Sequence, residues 1–243
     1  MFDLHIFYLL LIFIAAGLVK GVTGMGLPTV AMGLLGLLMP PQAAAALLVL
    51  PSLLTNLWQL LAGPALAQIV RRLWLMMTGI IMGTLAGSSL LISLNPRCSA
   101  LALGTVLIAY AGYALCGPAL QVSARVEKWL SPLMGGLTGV ITGVTGVFVI
   151  PAVPWLQTLG FRRDELVQAL GLSFTLSTLA MAAGLSLHDG WHADSLLLSG
   201  LALLPALLGM WLGQWIRSRR FRQGFLLFLL ALGMELIARG WLT

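Results

Sequence analysis

Gly17-Leu18-Val19-Lys20-Gly21-Val22-Thr23-Gly24 and Gly139-Val140-Ile141-Thr142-Gly143-Val144-Thr145-Gly146 are one string, GxxxGVTG, written twice at an offset of 122 residues (139 against 17). The chain has 243 residues, so the offset is about half of it. Each copy interrupts an apolar block, and prolines follow at Pro28 in the first half and at Pro151 and Pro154 in the second. Glycine and proline together weaken a helix at these places. A glycine pair also repeats, Gly83/Gly87 against Gly209/Gly213, at an offset of 126 (209 against 83). One such pair is unremarkable among 28 glycines, but an eight-residue string at the same place in each half indicates duplication. The chain reads as one membrane domain of two transmembrane repeats, residues 1–122 and 123–243. Repeated halves are a hallmark of secondary transporters, whose substrate site lies between the repeats.

Composition sets the surroundings of these strings. Hydrophobic residues make up 60% of the chain and charged residues 8%, where a soluble domain carries about 25% charged residues. Thirteen basic and seven acidic side chains cannot coat a water-soluble surface of this size, so lipid must cover it. No segment is polar enough for a separate soluble catalytic or nucleic-acid-binding domain. The net charge of +6 follows the positive-inside rule and is no sign of a nucleic-acid partner. The start, Met1-Phe2-Asp3-Leu4-His5, lacks a basic n-region and a small-residue cleavage site, so it is expected to be a retained first helix. Cys98 and Cys116 fall near opposite ends of one predicted helix and read as packing residues.

Apolar runs of about 20 residues mark the spans. They are expected at 43–62, 73–94, 98–120, 166–187, 195–216 and 224–242, beside the two broken blocks 4–39 and 129–160. Charge then orders them. With eight simple spans, the basic residues divide almost evenly between the faces. If each broken block is a hairpin returning to its starting face, one face collects Arg71, Arg72, Arg125, Lys128, Arg162, Arg163, Arg217, Arg219, Arg220 and Arg222, leaving Arg97 and Arg239 opposite. The positive-inside rule favours this arrangement and makes the basic face cytoplasmic. Two complete crossings per block have the same parity, and charge does not separate that version. The expected fold is an all-α integral membrane protein of two inverted repeats, each a broken helix or hairpin plus three transmembrane helices.

Irregular backbone at membrane depth survives only where protein buries it or a watery cavity hydrates it. The two breaks therefore suggest a cavity, with helix starts expected near Met25 and Val147. Free N–H groups at a helix start attract anions. Lys20, Gly21, Thr23, Gly24 and Gly26 in the first break, with Gly143, Thr145 and Gly146 in the second, form the candidate substrate-binding set. Lys20 supplies charge, which is costly in a membrane unless it has a role. Thr55, Asn56, Gln59, Ser173 and Ser177, with Thr175 and Thr178, are candidate cavity-lining residues. Each has a plainer reading: GxxxG is a common packing device, a lysine can snorkel to an interface, and helix hydroxyls bond between helices. Glu235 and Arg239, four apart, are expected to pair. The stretch His188, Asp189, His192 and Asp194 reads as a solvated connection more readily than as a metal site.

On these strings the chain resembles the sulfite exporter TauE/SafE family, also called four-toluene sulfonate uptake permeases. The resemblance spans nearly all 243 residues. It rests on size, apolar layout and a loose glycine-rich signature in each half: Gly17, Gly21, Gly24, Gly26 and Pro28, then Gly139, Gly143, Gly146 and Pro151. Val147 and Phe148 stand where family members often carry glycine. The resemblance implies a multi-pass permease of the bacterial inner membrane for sulfite, an organosulfonate or a related organic anion, with no cofactor. Proton or ion coupling and a homo-oligomeric state are left open. A membrane-embedded enzyme would need a catalytic constellation, and no HExxH, CxxC or nucleophile elbow is visible. A non-transporting membrane scaffold is the other alternative, and the paired breaks count against it.

Overall fold

A computed structural model describes residues 2–117, 121–187, 193–216 and 219–242. The described residues form ten helices and no strand: α1 (Phe2–Thr23), α2 (Leu27–Leu35), α3 (Pro41–Leu61), α4 (Leu66–Ser93), α5 (Pro96–Cys116), α6 (Ala124–Thr145), α7 (Ala152–Thr158), α8 (Arg163–Leu187), α9 (Ala193–Trp215) and α10 (Arg219–Leu242). Seven of them, α1, α3, α4, α5, α8, α9 and α10, are long and apolar enough to cross a membrane. Their outer faces carry large apolar side chains such as Trp74, Leu204 and Trp211 in exposed positions. Those faces suit lipid, and the protein is a multi-pass, all-helical membrane protein.

Several helices begin earlier than their apolar runs suggest. α4 starts at Leu66, α6 at Ala124, α8 at Arg163 and α10 at Arg219, so Arg71, Arg72, Arg125, Lys128, Arg163 and Arg222 lie in opening turns, not in loops. Backbone hydrogen bonding does not require an apolar residue, and first turns can be satisfied by side chains. The Glu165 carboxylate accepts the Arg162 N–H at 2.9 Å, and the Asn95 side chain accepts the Arg97 N–H at 3.0 Å. The stretch 188–192 lies outside the described residues, and so does any reading of its histidines.

The glycine strings lie at helix crossings. α1 runs parallel to α9, and a Cβ on Gly17 or Gly21 would come within 2.1 Å of the Ala206 or Met210 carbonyl oxygen. On the facing side, Gly209 and Gly213 meet the Ile14 and Leu18 carbonyls in the same way. α6 runs parallel to α4 under the same rule: Gly139 meets Ile80 and Thr84, while Gly143 meets Gly87 and Ser88. Close backbone approach of this kind is what small-xxx-small patterns provide in membranes. The two crossings use corresponding elements of the two halves, α1 with α9 and α6 with α4. Between them α3 and α8 cross antiparallel at the centre, and α5 packs antiparallel on α10 through Gly104 and Gly233.

Both broken blocks turn back. The Val122 N–H, just before α6, donates to the Thr158 carbonyl at the end of α7 (3.1 Å). Arg72 on α4 clamps that end: it binds both Glu127 carboxylate oxygens at 2.7 and 2.8 Å and the Leu159 carbonyl at 2.8 Å, and lies 4.5 Å from the Phe161 ring centroid. In the first block, the Gln59 amide near the end of α3 donates to the Gly24 carbonyl at 2.6 Å, so α1 and α3 end on one side and α2 is a short return. The basic residues 71, 72, 125, 163 and 222 thus gather at one end of the bundle. Arg97, on the Gly240 and Trp241 carbonyls, and Arg239, paired with Glu235 at 2.7 Å, sit at the other end.

Pro51 inside α3 lacks the N–H that would bond the Leu47 carbonyl. The Ser199 hydroxyl of α9 donates to that carbonyl at 2.8 Å, so a neighbouring helix restores the bond.

Alanine at Gly21 or Gly143 should separate its helix pair and cost about 1–3 kcal/mol, the usual range for overpacking. Alanine at Gly112 or Gly200, where nothing lies within 4 Å, should stay within about 1 kcal/mol of the parent. Thermal unfolding in detergent would separate the two pairs. Equal melting temperatures for all four variants would show that the crossings do not depend on backbone contact.

Candidate functional site

The breaks after α1 and α6 are built alike. Thr23 donates its hydroxyl to the Val19 carbonyl (2.9 Å) and accepts the Met25 N–H (3.3 Å). Thr145 donates to the Ile141 carbonyl (2.7 Å) and accepts the Val147 N–H (3.2 Å). In each case a glycine follows in the left-handed region, Gly24 at φ 76° and Gly146 at φ 71°, where a Cβ is strained. Gly26, at φ 112°, then caps α2. Each threonine hydroxyl thus satisfies its own break.

Beyond this motif the breaks diverge. The chain after Gly24 re-enters a helix at Leu27, but after Gly146 it does not do so until Ala152, later than the start expected near Val147. Val147, Val149 and Ile150 are β-branched, and Ile150 precedes a proline, which disfavours the helical region. Val147, Phe148 and Val149 are buried against the core, and a Cβ on Gly146 would meet the Met32 side chain at 2.7 Å.

The first break lines an open cavity of about 1170 Å³ at the basic end of the bundle. Lys20, Gly21, Thr23, Gly24 and Gln59 contribute to its inner wall. Arg163, Arg222 and Asp164 line it as well, with Gln157 and Gln214, and Trp58, Tyr110, Tyr113 and Phe225 give aromatic surface. Three cations face one carboxylate, so the field in this concave space favours anions. Gln59 meets the break level with Gly171 of α8, eight residues past Arg163 (171 − 163). At 1.5 Å per residue that is about 12 Å inside the bundle.

Lys20 is 2% exposed. Its ammonium donates to the Thr55 hydroxyl at 3.0 Å and to the Asn56 side-chain oxygen. Asn56 in turn donates to Thr178 at 3.4 Å. Two of the three ammonium donors are used, both acceptors are neutral, and no carboxylate among the described residues pairs with it. Hydrogen bonds to a charged group contribute about 1.5–3 kcal/mol each, which offsets part of the cost of burying the lysine in the last turn of α1.

The structure therefore joins Lys20, Gly21, Thr23, Gly24 and Gln59 at one cavity, with Thr55 and Asn56 directly behind Lys20. Gly26 lies buried just beyond the lining. Gly143, Thr145 and Gly146 do not line it; Gly143 is at the α4–α6 crossing, and Gly146 borders a separate void of about 10 Å³ with Ser52, Phe148 and Thr178. Ser173 and Ser177 are buried on α8. Sequence reasoning overlooked Arg163 and Arg222 because both were placed outside helices. The spacing Arg163, Leu166, Leu170 and the spacing Arg222, Phe225, Leu226 put each arginine on a cavity-facing stripe, a signal readable once the helix starts are known.

Cysteines at Gln214 and Val167, in a chain with Cys98 and Cys116 replaced by serine, should react with a membrane-impermeant maleimide from the side that also reaches a cysteine at Arg71. A cysteine at Arg97 should react only from the opposite side. Labelling of position 214 from the Arg97 side would contradict the cavity's opening.

A family model described as Sulfite exporter TauE/SafE matches residues 9–236. No curated protein and no solved structure gave a match to the chain. With the match running across both broken blocks and all seven long apolar helices, the chain belongs to the sulfite exporter TauE/SafE family of membrane transporters.

Proposed function

We propose that the chain is a secondary transporter for a small anion, sulfite or an organosulfonate, which binds in the open cavity against Lys20. The observation that carries this reading is the buried lysine, held by two neutral acceptors and with no carboxylate partner among the described residues, at the inner wall of the cavity. An anion is the natural counter-ion, and Arg163 and Arg222 draw it inward from the mouth. Gly24 supports the same reading: a Cβ there would approach nothing closer than 3.7 Å, so this glycine leaves space on the cavity side. The cavity is large for sulfite alone and accommodates a bulkier organic group against Trp58 and Tyr113.

The reading extends to the architecture. Residues 1–122 and 123–243 are inverted repeats related by a pseudo-twofold axis in the membrane plane, with the basic end cytoplasmic and the cavity facing the cytoplasm. The matched crossings of α1 with α9 and α6 with α4, the two hairpins and the charge division support it. Secondary transporters of this plan expose their site alternately to the two sides. The bacterial inner membrane is the matching location.

Proteoliposomes loaded with sulfite, and separately with an alkyl sulfonate, test the function by efflux and counterflow. Lys20→Gln should weaken anion binding by about 1.5–3 kcal/mol, the worth of a charged hydrogen bond, or roughly 10- to 150-fold. Gly24→Trp should stop transport by filling the cavity, whereas Gly24→Asn, which tolerates the positive φ and is smaller, should keep it. If Lys20→Gln binds and transports like the parent, the cavity does not select anions through this lysine.

A further inference from the structure

α5 and α10 give the cavity a wall of their own. Each contributes one stripe at three- and four-residue steps: Tyr110, Tyr113 and Ala114 on α5, and Arg222, Phe225 and Leu226 on α10. This wall ends on the segment that follows the first break. The Tyr110 hydroxyl donates to the Met25 sulfur at 3.1 Å, and a Cβ on Gly26 would meet the Phe225 ring at 3.3 Å. Lys20 is held instead from α3, by Thr55 and Asn56. Tyr110 and Lys20 therefore line one cavity with no hydrogen-bond partner in common.

Two groups on this wall are poorly matched within the protein. Tyr110 is 6% exposed, and the one acceptor its hydroxyl has is a thioether, which accepts weakly. Phenylalanine would fill the same space. Arg222 lies near enough for its charge to act on that hydroxyl. No hydrogen bond or ion pair holds the Arg222 guanidinium among the described residues. Asp164 is the single carboxylate at the cavity, against Arg163 and Arg222, so one guanidinium is in excess before Lys20 is counted.

We propose that the Tyr110 hydroxyl and the Arg222 guanidinium form a second anion station on the α5–α10 wall, separate from Lys20, which holds one sulfite or sulfonate group by its oxygens. This rests on the carrier reading above. The guanidinium fork presents parallel N–H donors to two oxygens, and the phenol gives a further donor. Turning from a thioether to an anionic oxygen strengthens the hydroxyl's bond. Two anions held in one cavity repel each other, so filling this station loosens the anion at Lys20 and helps it to move on.

The test is equilibrium dialysis of the full chain in detergent against ethanesulfonate, a monoanion. The parent should bind two equivalents. Tyr110→Phe and Arg222→Gln should each weaken one of them at least about tenfold, the lower end for a lost charged hydrogen bond, and leave the other within about twofold. Lys20→Gln should keep one equivalent, and adding Tyr110→Phe to it should remove that one. Met25→Leu separates a ligand contact from a structural one. It deletes the thioether acceptor and keeps the phenol, so both equivalents should remain and the second should bind no more weakly. Tyr110→Phe should melt like the parent.

A single equivalent in the parent that needs both Lys20 and Tyr110 would overturn the second station by merging the two sites. Two equivalents indifferent to Tyr110→Phe or to Arg222→Gln would overturn the assignment. Binding and melting temperature lost together in Tyr110→Phe and Met25→Leu would make the hydroxyl a structural group. One Lys20-dependent equivalent, untouched by Tyr110→Phe and with sulfite flux intact, would sink the station and leave the carrier standing. No binding of ethanesulfonate or sulfite by the parent would sink the carrier reading, and the station with it.

Discussion

The bilayer interior supplies no water, so each backbone group freed by a break in a helix must find its partner inside the protein or in a hydrated cavity. Much of this structure answers that constraint. Thr23 and Thr145 satisfy the turns that Gly24 and Gly146 make possible. Gln59 reaches across from α3 to the Gly24 carbonyl, and Gln168 reaches from α8 to the Leu60 and Gly63 carbonyls and the Ala65 N–H. Ser199 covers the carbonyl that Pro51 leaves open. Such bonds fix which helices lie side by side, because an amide or hydroxyl on one element is the only partner available to another. Glycines at the α1–α9 and α4–α6 crossings then bring the frame close enough for these short reaches.

One string serves two purposes in the two halves. Position 20 is lysine in the first copy; the corresponding position in the second is Thr142, whose hydroxyl donates to the Thr138 carbonyl on its own helix. The chain following the first break is short and leaves space beside Gly24; the chain following the second is Val147, Phe148 and Val149, which fill theirs. The same hydrogen-bond motif therefore holds an open wall on one side and a packed plug on the other. Lys20 lies at the inner wall of the cavity, on Thr55 and Asn56 of α3.

The sequence determined the membrane class, the two breaks, the hairpin-compatible division of charge, and Lys20 as the residue of interest. These follow from composition, repeated strings and parity, all local in the chain. It also marked Thr55, Asn56 and Gln59, since polar side chains in an apolar helix stand out without coordinates. Tertiary structure decided which glycines pack and which leave space. Gly21 and Gly24 are three residues apart in one motif, yet one abuts the Met210 carbonyl and the other opens on the cavity. Only the position of α9 makes that distinction. Structure also brought Arg163 and Arg222 to the cavity from helices far apart in sequence, and set the second break against Met32. A pattern along the chain reports what a residue can do, whereas its neighbours across the bundle, set by the register of two helix crossings, fix what it does.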